Sequence, residues 1–150
     1  MPGRRLTVIQ LVPALNAGGV EKSTLEIGHA LVLAGQRSIV ISAGGRLVEK
    51  LEAEGSEHIR VGIGRKSFGT LRHVWTLRRL FRALRPDIVH ARSRLPAWLT
   101  RIALAGLGGN RPHFVTTVHG LNSPGTYSSI LTRSERVICE SGSRRTFRAN

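Results

Sequence analysis

Short apolar segments of strand length alternate with longer segments of helical periodicity along this chain. Residues 6–12 (LTVIQLV) are apolar and rich in β-branched side chains and end before Pro13, which predicts a buried strand. Residues 20–34 place apolar side chains at near-helical spacing, and Gly35 stands where a helix commonly ends. The same alternation continues as far as residue 139.

The later segments predict the rest of the architecture. Further strands are predicted over residues 38–42, 58–63, 87–91, 113–118 and 137–139, and further helices over residues 47–54, 69–84 and 95–107. Strands joined through helices pair in parallel by right-handed crossovers. We therefore expect residues 1–150 to form one Rossmann-like α/β domain, with a doubly wound, mainly parallel sheet of about six strands and helices on both faces.

Composition excludes several classes of protein. With 150 residues, of which 41% are hydrophobic, the chain is long and apolar enough to bury a core. The single cysteine, Cys139, excludes an internal disulfide framework and a cysteine-rich zinc site. No apolar run approaches the roughly 20 residues of a membrane span, and no secretory apolar segment follows Arg4 and Arg5. We therefore expect a cytoplasmic location.

The chain is strongly basic, with 23 Lys and Arg against 9 Asp and Glu and a net charge of +14. Such a charge is typical of proteins that bind nucleic acid or anionic membranes. Aromatic residues make up only 5% of the chain, and no recognised nucleic-acid motif is present. A sequence-specific nucleic-acid partner is therefore not expected.

Two predicted strands end in residues suited to a ligand. Gly18 and Gly19 (NAGGVEK) follow the first strand and precede a helix, an arrangement that favours a bound phosphate or diphosphate, although a plain tight turn remains an alternative. His119 ends another strand (VTTVHG) and is suited to contact a sugar hydroxyl or to move a proton, although a histidine that merely closes a strand remains open. His90 ends a strand in the same way. Neither a dinucleotide fingerprint, a P-loop nor a metal-binding motif occurs.

The order of these motifs, GGVE at residues 18–21, PDIVH at 86–90, TVHG at 117–120 and RVIC at 136–139, resembles the N-terminal domain of family 4 glycosyltransferases. These are retaining enzymes of the two-domain B-type fold. The resemblance implies that His119 contacts the donor sugar as the catalytic residue. The residues that it implies for the donor diphosphate are Gly18, Gly19 and Gly120, and those for the acceptor are Glu21 and Lys22.

The resemblance also implies a reaction and its partners. A sugar would pass from a nucleotide-sugar donor to a lipid-linked or polysaccharide acceptor in cell-envelope lipopolysaccharide or glycan synthesis, with no metal or other cofactor. The family holds the nucleotide in a C-terminal domain, so we expect this chain to be the acceptor-side half, truncated before that domain and inactive alone. The alternatives are a non-catalytic basic α/β domain that binds anionic membrane or nucleic acid, and a domain that only binds a sugar or nucleotide.

The predicted helix over residues 69–84 has two distinct faces. Val74, Leu77, Leu80, Phe81 and Leu84 share one arc and are expected to pack on the sheet. The opposite arc predicts contact with an anionic membrane at the inner face of the cell membrane. Its members are Leu71, Arg72, Trp75, Arg78, Arg79 and Arg82. The alternative is a solvated charged face with Trp75 covered by a loop.

Overall fold

The computed structural model describes residues 3–63, 69–109, 111–118 and 136–139, which contain six strands and four helices. The strands are β1 (Thr7–Leu11), β2 (Arg37–Ser42), β3 (Glu57–Arg60), β4 (Ile88–Ala91), β5 (His113–Val118) and β6 (Arg136–Cys139). The helices are α1 (Gly19–Leu33), α2 (Val48–Ala53), α3 (Thr70–Leu84) and α4 (Arg94–Ala105).

The six strands form one sheet in the order β3-β2-β1-β4-β5-β6, and all of these pairs are parallel. The chain builds outwards from β1 in both directions, which is the doubly wound arrangement. The predicted α/β class and the number of strands are confirmed. The extension of β3 to residue 63 is wrong, because the strand ends at Arg60 and the N–H of Ile63 turns back to the carbonyl of Val61 at 2.8 Å.

Helices cover both faces of the sheet. On one face α3 and α4 pack over the larger core, and the predicted apolar arc of α3 is confirmed as the side that contacts it. On the other face α1 and α2 cover a smaller core. Members of the larger core include Ile9, Leu11, Ile39, Leu77, Phe81, Val89 and Leu99, and members of the smaller core are Val12, Leu15, Leu25, Val40 and Leu51.

Glycines end the two helices of the smaller core. After α1, Gly35 has a φ of +73°, its N–H donates to Val32 at 2.9 Å, and the N–H of Gln36 donates to Leu31 at 2.9 Å. These two bonds satisfy carbonyls that the helix leaves open, and the left-handed position favours glycine. Gly55 ends α2 in the same way, with a φ of +92°. The predicted role of Gly35 is confirmed.

Charged side chains tie strands together at the amino edge of the sheet. Asp87 accepts hydrogen bonds from Arg4 and from the N–H of Thr7, the latter at 2.8 Å. Arg37 pairs with Glu57 at 2.7 Å, and this hydrogen bond lowers the pKa of the Glu57 carboxyl below its usual value. Such exposed pairs each contribute about 0–1 kcal/mol to the free energy of unfolding. They therefore add little to the stability that the buried core provides.

The helix α1 approaches the sheet most closely at Gly28. A Cβ built there would lie 2.8 Å from Ser56 Oγ and 3.3 Å from Ser38 Oγ. The two hydroxyls are buried and joined by a hydrogen bond of 2.9 Å, so they are not free to move aside. A glycine at this position therefore sets the distance between α1 and β2.

We expect Gly28→Ala to lower the free energy of unfolding by about 1–3 kcal/mol, because overpacking outweighs the better helix propensity of alanine. Urea unfolding measures this change. Gly19→Ala is the matched control on the same helix, since a Cβ on Gly19 meets no atom within 4 Å. Equal stability of the two variants would contradict the close approach at Gly28.

Candidate functional site

The carboxyl ends of the central strands meet at one edge of the sheet. Leu11 at the end of β1 lies opposite Ile41 of β2 and Ala91 of β4, and Ala91 lies opposite Thr116 of β5. Because β4 separates β1 from β5, those two strands are about 10 Å apart. The glycine pair follows β1 and the TVHG stretch begins in β5, so both predicted segments leave the sheet from the same edge.

The loop after β1 presents its glycine pair to solvent at the start of α1. Gly18 is the N-cap and has a φ of +157°, which favours glycine. A Cβ built on Gly19 meets nothing within 4 Å, so a ligand can approach the backbone there. Among the described residues no side chain caps α1, so in this part of the chain its first N–H groups and positive dipole end are available to an anion.

The two predicted acceptor residues lie on the first turn of α1. Glu21 is half-buried, and its carboxylate folds back against Gly18, into the space that a Cβ on Gly18 would occupy. Lys22 is exposed, and its N–H begins the helical hydrogen bonds by donating to Gly18 at 3.1 Å. An anion that approaches Gly18 therefore meets the Glu21 carboxylate, whereas the approach to Gly19 is open.

A second glycine pair, after β2, supports this loop. Gly45 has a φ of +149°, and a Cβ on it would collide with the carbonyl of Leu15. The N–H of Leu15 donates to Gly44 at 2.9 Å, and the Arg46 side chain donates to the carbonyl of Asn16 at 2.9 Å. These contacts hold the loop before α1 against the segment that follows β2.

A buried polar group that the sequence analysis did not identify lies beneath α1. Arg92 directly follows β4 and is only 1% exposed. Its guanidinium donates to Gln10 Oε1 at 3.3 Å and to the hydroxyl of Ser23 on α1. Gln10, fully buried in β1, in turn donates to the carbonyl of Thr24 at 3.1 Å. The one available signal was a glutamine inside an otherwise apolar strand.

His90 joins β4 to β5 on the same side of the sheet. Its Nε2 lies 2.6 Å from Thr117 Oγ1, and it is paired in register with Gln10. Thr117 precedes the predicted sugar contact by two residues. His119 and Gly120 lie outside the described residues, so their assignments stay predictions.

The end of β2 carries a further hydrogen-bonded pair. Ser42 Oγ lies 2.9 Å from His58 Nε2 and accepts the N–H of Gly44 at 3.0 Å. Burial lowers the pKa of His58 below its usual value, with Glu52 opposing this shift and Arg60 adding to it. The His58 imidazole and the Ser42 hydroxyl share a hydrogen bond, and Ser42 also accepts from Gly44, so the pair fixes the loop that contains Gly44.

Comparison with known proteins identifies the family. The sequence model of Glycosyltransferase Family 4 matches residues 17–147. The chain belongs to glycosyltransferase family 4. A crystal structure of a glycosyltransferase from Rickettsia africae ESF-5 is similar, with a TM-score of 0.77, 35% sequence identity, and coverage of 91% of this chain and 37% of that one. This family 4 chain thus spans well under half the length of that relative, and no curated protein matches it significantly.

Two of the arginines predicted to face a membrane also hold the end of α4. Arg78 donates to the carbonyls of Ala103 at 3.3 Å and Ile102 at 3.2 Å, and Arg82 donates to Gly106 at 3.1 Å. Cations at a helix C-terminus satisfy its open carbonyls and complement its negative dipole end. These two side chains therefore have an intramolecular role in this family 4 chain that the helical pattern did not reveal.

Three further members of this face, Arg72, Trp75 and Arg79, are exposed to solvent. Trp75 is 64% exposed, and the guanidinium of Arg78 lies 5.2 Å from its ring centroid. This exposure contradicts the expected cover of Trp75 by a loop, and a solvated charged face stays the alternative to a membrane contact. Arg72 and Arg79 are exposed, and Ile102 on the adjoining α4 is 41% exposed. The side chain of Leu71 lies outside the described residues.

The part of the chain that the structure describes also bears on membrane spans and metal sites. None of its helices is both long and apolar enough to cross a bilayer. The same described part contains no group of three or more His, Cys, Asp or Glu side chains that could hold a metal ion.

We expect the free energy of unfolding to fall as the pH is lowered from 7.5 to 5. The unfolded chain protonates His58 at its usual pKa of about 6.5, whereas the folded chain keeps it neutral to a lower pH. The unfolded state therefore binds more protons in this window, and stability is lost as pH falls from about 6.5 through the lowered pKa, and then levels.

Urea unfolding at a series of pH values measures this loss, and His58→Gln is expected to reduce it. The other titrating groups are unchanged in that variant, which makes it a control for them. Identical pH profiles for the wild type and His58→Gln would contradict the role of the Ser42–His58 pair.

Proposed function

We propose that the chain is the N-terminal, acceptor-side domain of a retaining glycosyltransferase. Its substrates are a nucleotide-sugar donor and a lipid-linked or polysaccharide acceptor, and it acts at the inner face of the cell membrane in lipopolysaccharide or other envelope glycan synthesis. The observation that carries this proposal is the exposed, uncapped start of α1 at the carboxyl edge of the sheet in a family 4 chain. Ligands of doubly wound sheets bind at that edge.

The donor diphosphate lies against the backbone of Gly18, Gly19 and Gly120. Support comes from the open approach to Gly19 and the free dipole end of α1, which stabilise negative charge without a metal ion. His119 contacts the donor sugar, and Glu21 with Lys22 faces the acceptor. Since Glu21 lies against Gly18 in the ligand-free chain, its side chain turns outward when the diphosphate arrives.

The transfer exchanges one bond at the anomeric carbon for another. The bond from that carbon to the diphosphate oxygen breaks, and the nucleoside diphosphate leaves with the electron pair. An acceptor hydroxyl oxygen forms the new bond on the same side of the sugar, and its proton passes to the departing diphosphate oxygen. The nucleotide is held by a further domain, in accord with a Rickettsia relative that extends far beyond the matched part.

The exposed face of α3 binds anionic lipid and so brings the site to membrane-bound acceptors. Trp75 and Ile102 supply apolar contacts, and Arg72 with Arg79 supplies exposed positive charge. The sequences of α3 and α4 contain neither Asp nor Glu. An exposed indole among arginines fits the headgroup layer of such a membrane.

We expect amide signals of residues 18–20 to shift in NMR spectra when a nucleotide sugar is added, with UDP-glucose and GDP-mannose as first probes. Gly19→Ala is expected to weaken that binding about tenfold without loss of stability, because its methyl group holds the ligand away from the backbone. Shifts spread evenly over the basic surface would contradict a donor site at this loop.

A chimera that joins this chain to the unmatched part of the Rickettsia glycosyltransferase tests catalysis. Release of nucleoside diphosphate is expected from the chimera, and not from residues 1–150 alone, because the proposed nucleotide contacts lie in the further domain. Turnover by the chain alone would contradict the proposal that a further domain is needed to hold the nucleotide. Donor binding with an inactive chimera would favour a domain that only binds the sugar nucleotide.

We expect Trp75→Ala/Arg79→Glu to reduce sedimentation with vesicles of anionic phospholipid at least fivefold, since each basic contact contributes about 1 kcal/mol. This variant leaves the bonds from Arg78 and Arg82 to α4 in place. The matched control, Leu33→Ala/Arg5→Glu, changes one exposed apolar and one exposed basic residue away from α3. Equal losses for the two variants would show only a general effect of net charge.

A further inference from the structure

We propose that Arg92 is the positioning residue of the donor loop, a role that rests on the proposed binding of the diphosphate at the start of α1. It would act without touching the substrate. Its guanidinium ties the first turns of α1, which follow Gly18 and Gly19, to the sheet. Neither the motifs nor the family resemblance assigned a function to this residue.

The hydrogen bonds of Arg92 connect three separate elements. From the end of β4 it reaches Gln10 on β1 and Ser23 on the first turns of α1. Ser23 Oγ in turn lies 3.2 Å from the carbonyl of Val20, to which Thr24 Oγ1 also donates at 2.7 Å. The side chain therefore acts on the turn that begins immediately after the glycine pair.

Burial makes this contact costly to keep for packing alone. Arg92 is 1% exposed, and a guanidinium loses its hydration when it is taken out of water. The hydrogen bonds to Gln10 and Ser23 offset part of that cost only while α1 keeps its place on the sheet, which is the reason to assign Arg92 to the positioning of the donor loop.

Replacement of Arg92 by lysine separates the contribution of its charge from that of its hydrogen bonds. A guanidinium donates in a rigid planar fork and can reach Gln10 and Ser23 together, whereas an ammonium is a single point. Arg92→Lys therefore keeps the charge and loses the simultaneous hydrogen bonds. Ser23→Ala is a smaller change that keeps the arginine and removes its contact with α1, so it decides the outcome if Arg92→Lys fails to fold.

The test is pyrophosphate titration of the 150-residue chain by NMR at constant ionic strength, together with amide hydrogen exchange without ligand. In Arg92→Lys we expect pyrophosphate affinity at residues 18–20 to fall about tenfold, as for a disturbed charge-assisted hydrogen bond. Exchange protection of the Ser23 and Thr24 amides should fall relative to that of Ile39 in the core. Ser23→Ala should show the same pattern to a smaller degree.

The matched control is Arg85→Lys, an exposed residue at the opposite end of β4, which should leave both measurements within twofold of wild type. The double variant Arg92→Lys/Gly19→Ala should lose less affinity than the two single effects combined, because both act on one loop. A merely structural arginine would lower thermal stability and leave pyrophosphate affinity unchanged.

The results distinguish this inference from the proposed function. If the amide signals of residues 18–20 in the wild type do not respond to pyrophosphate or to a nucleotide sugar, the proposed donor site at this loop is wrong. The proposed role of Arg92 is then wrong as well. If the wild type responds and Arg92→Lys binds equally well with unchanged exchange in α1, the inference about Arg92 is overturned and the donor loop stands.

Discussion

The fully buried amide of Gln10 fixes the relative position of the three elements that form the candidate site. Its nitrogen donates to the carbonyl of Thr24 on α1, and its oxygen accepts from Arg92 at the end of β4. A buried amide that loses a partner costs about 1–3 kcal/mol, so sheet and helix keep one arrangement. The start of α1 is consequently held at the carboxyl edge, where its N–H groups face solvent.

The site is built from backbone more than from side chains. Gly18 begins α1 in a conformation that favours glycine, and Gly45 brings the loop after β2 against the carbonyl of Leu15. The Ser42–His58 pair fixes the loop that contains Gly44. Backbone N–H groups held in this way lose little entropy when they bind an anion, because their positions are set before the ligand arrives.

The arginines that give the chain its large positive charge fall into two groups. Some make hydrogen bonds within the protein, and others are exposed to solvent. Arg92 is buried beneath α1, and Arg78 and Arg82 satisfy carbonyls at the end of α4. Arg72 and Arg79 remain exposed beside Trp75. The net charge therefore overstates the number of arginines that are available to a partner, while the face of α3 still combines exposed charge with an exposed indole.

The sequence alone determined the order of elements, the parallel sheet, the buried side of α3 and the loop that opens α1. These follow from local patterns, because the spacing of apolar residues reflects which side of a strand or helix meets the core. Only the tertiary structure decided the burial of Arg92 and its contact with Gln10, 82 positions away in the chain, and the close approach of Gly45 to Leu15. It likewise decided which arginines of α3 turn to α4. Such pairings depend on how elements pack together in space, and no local periodicity encodes them.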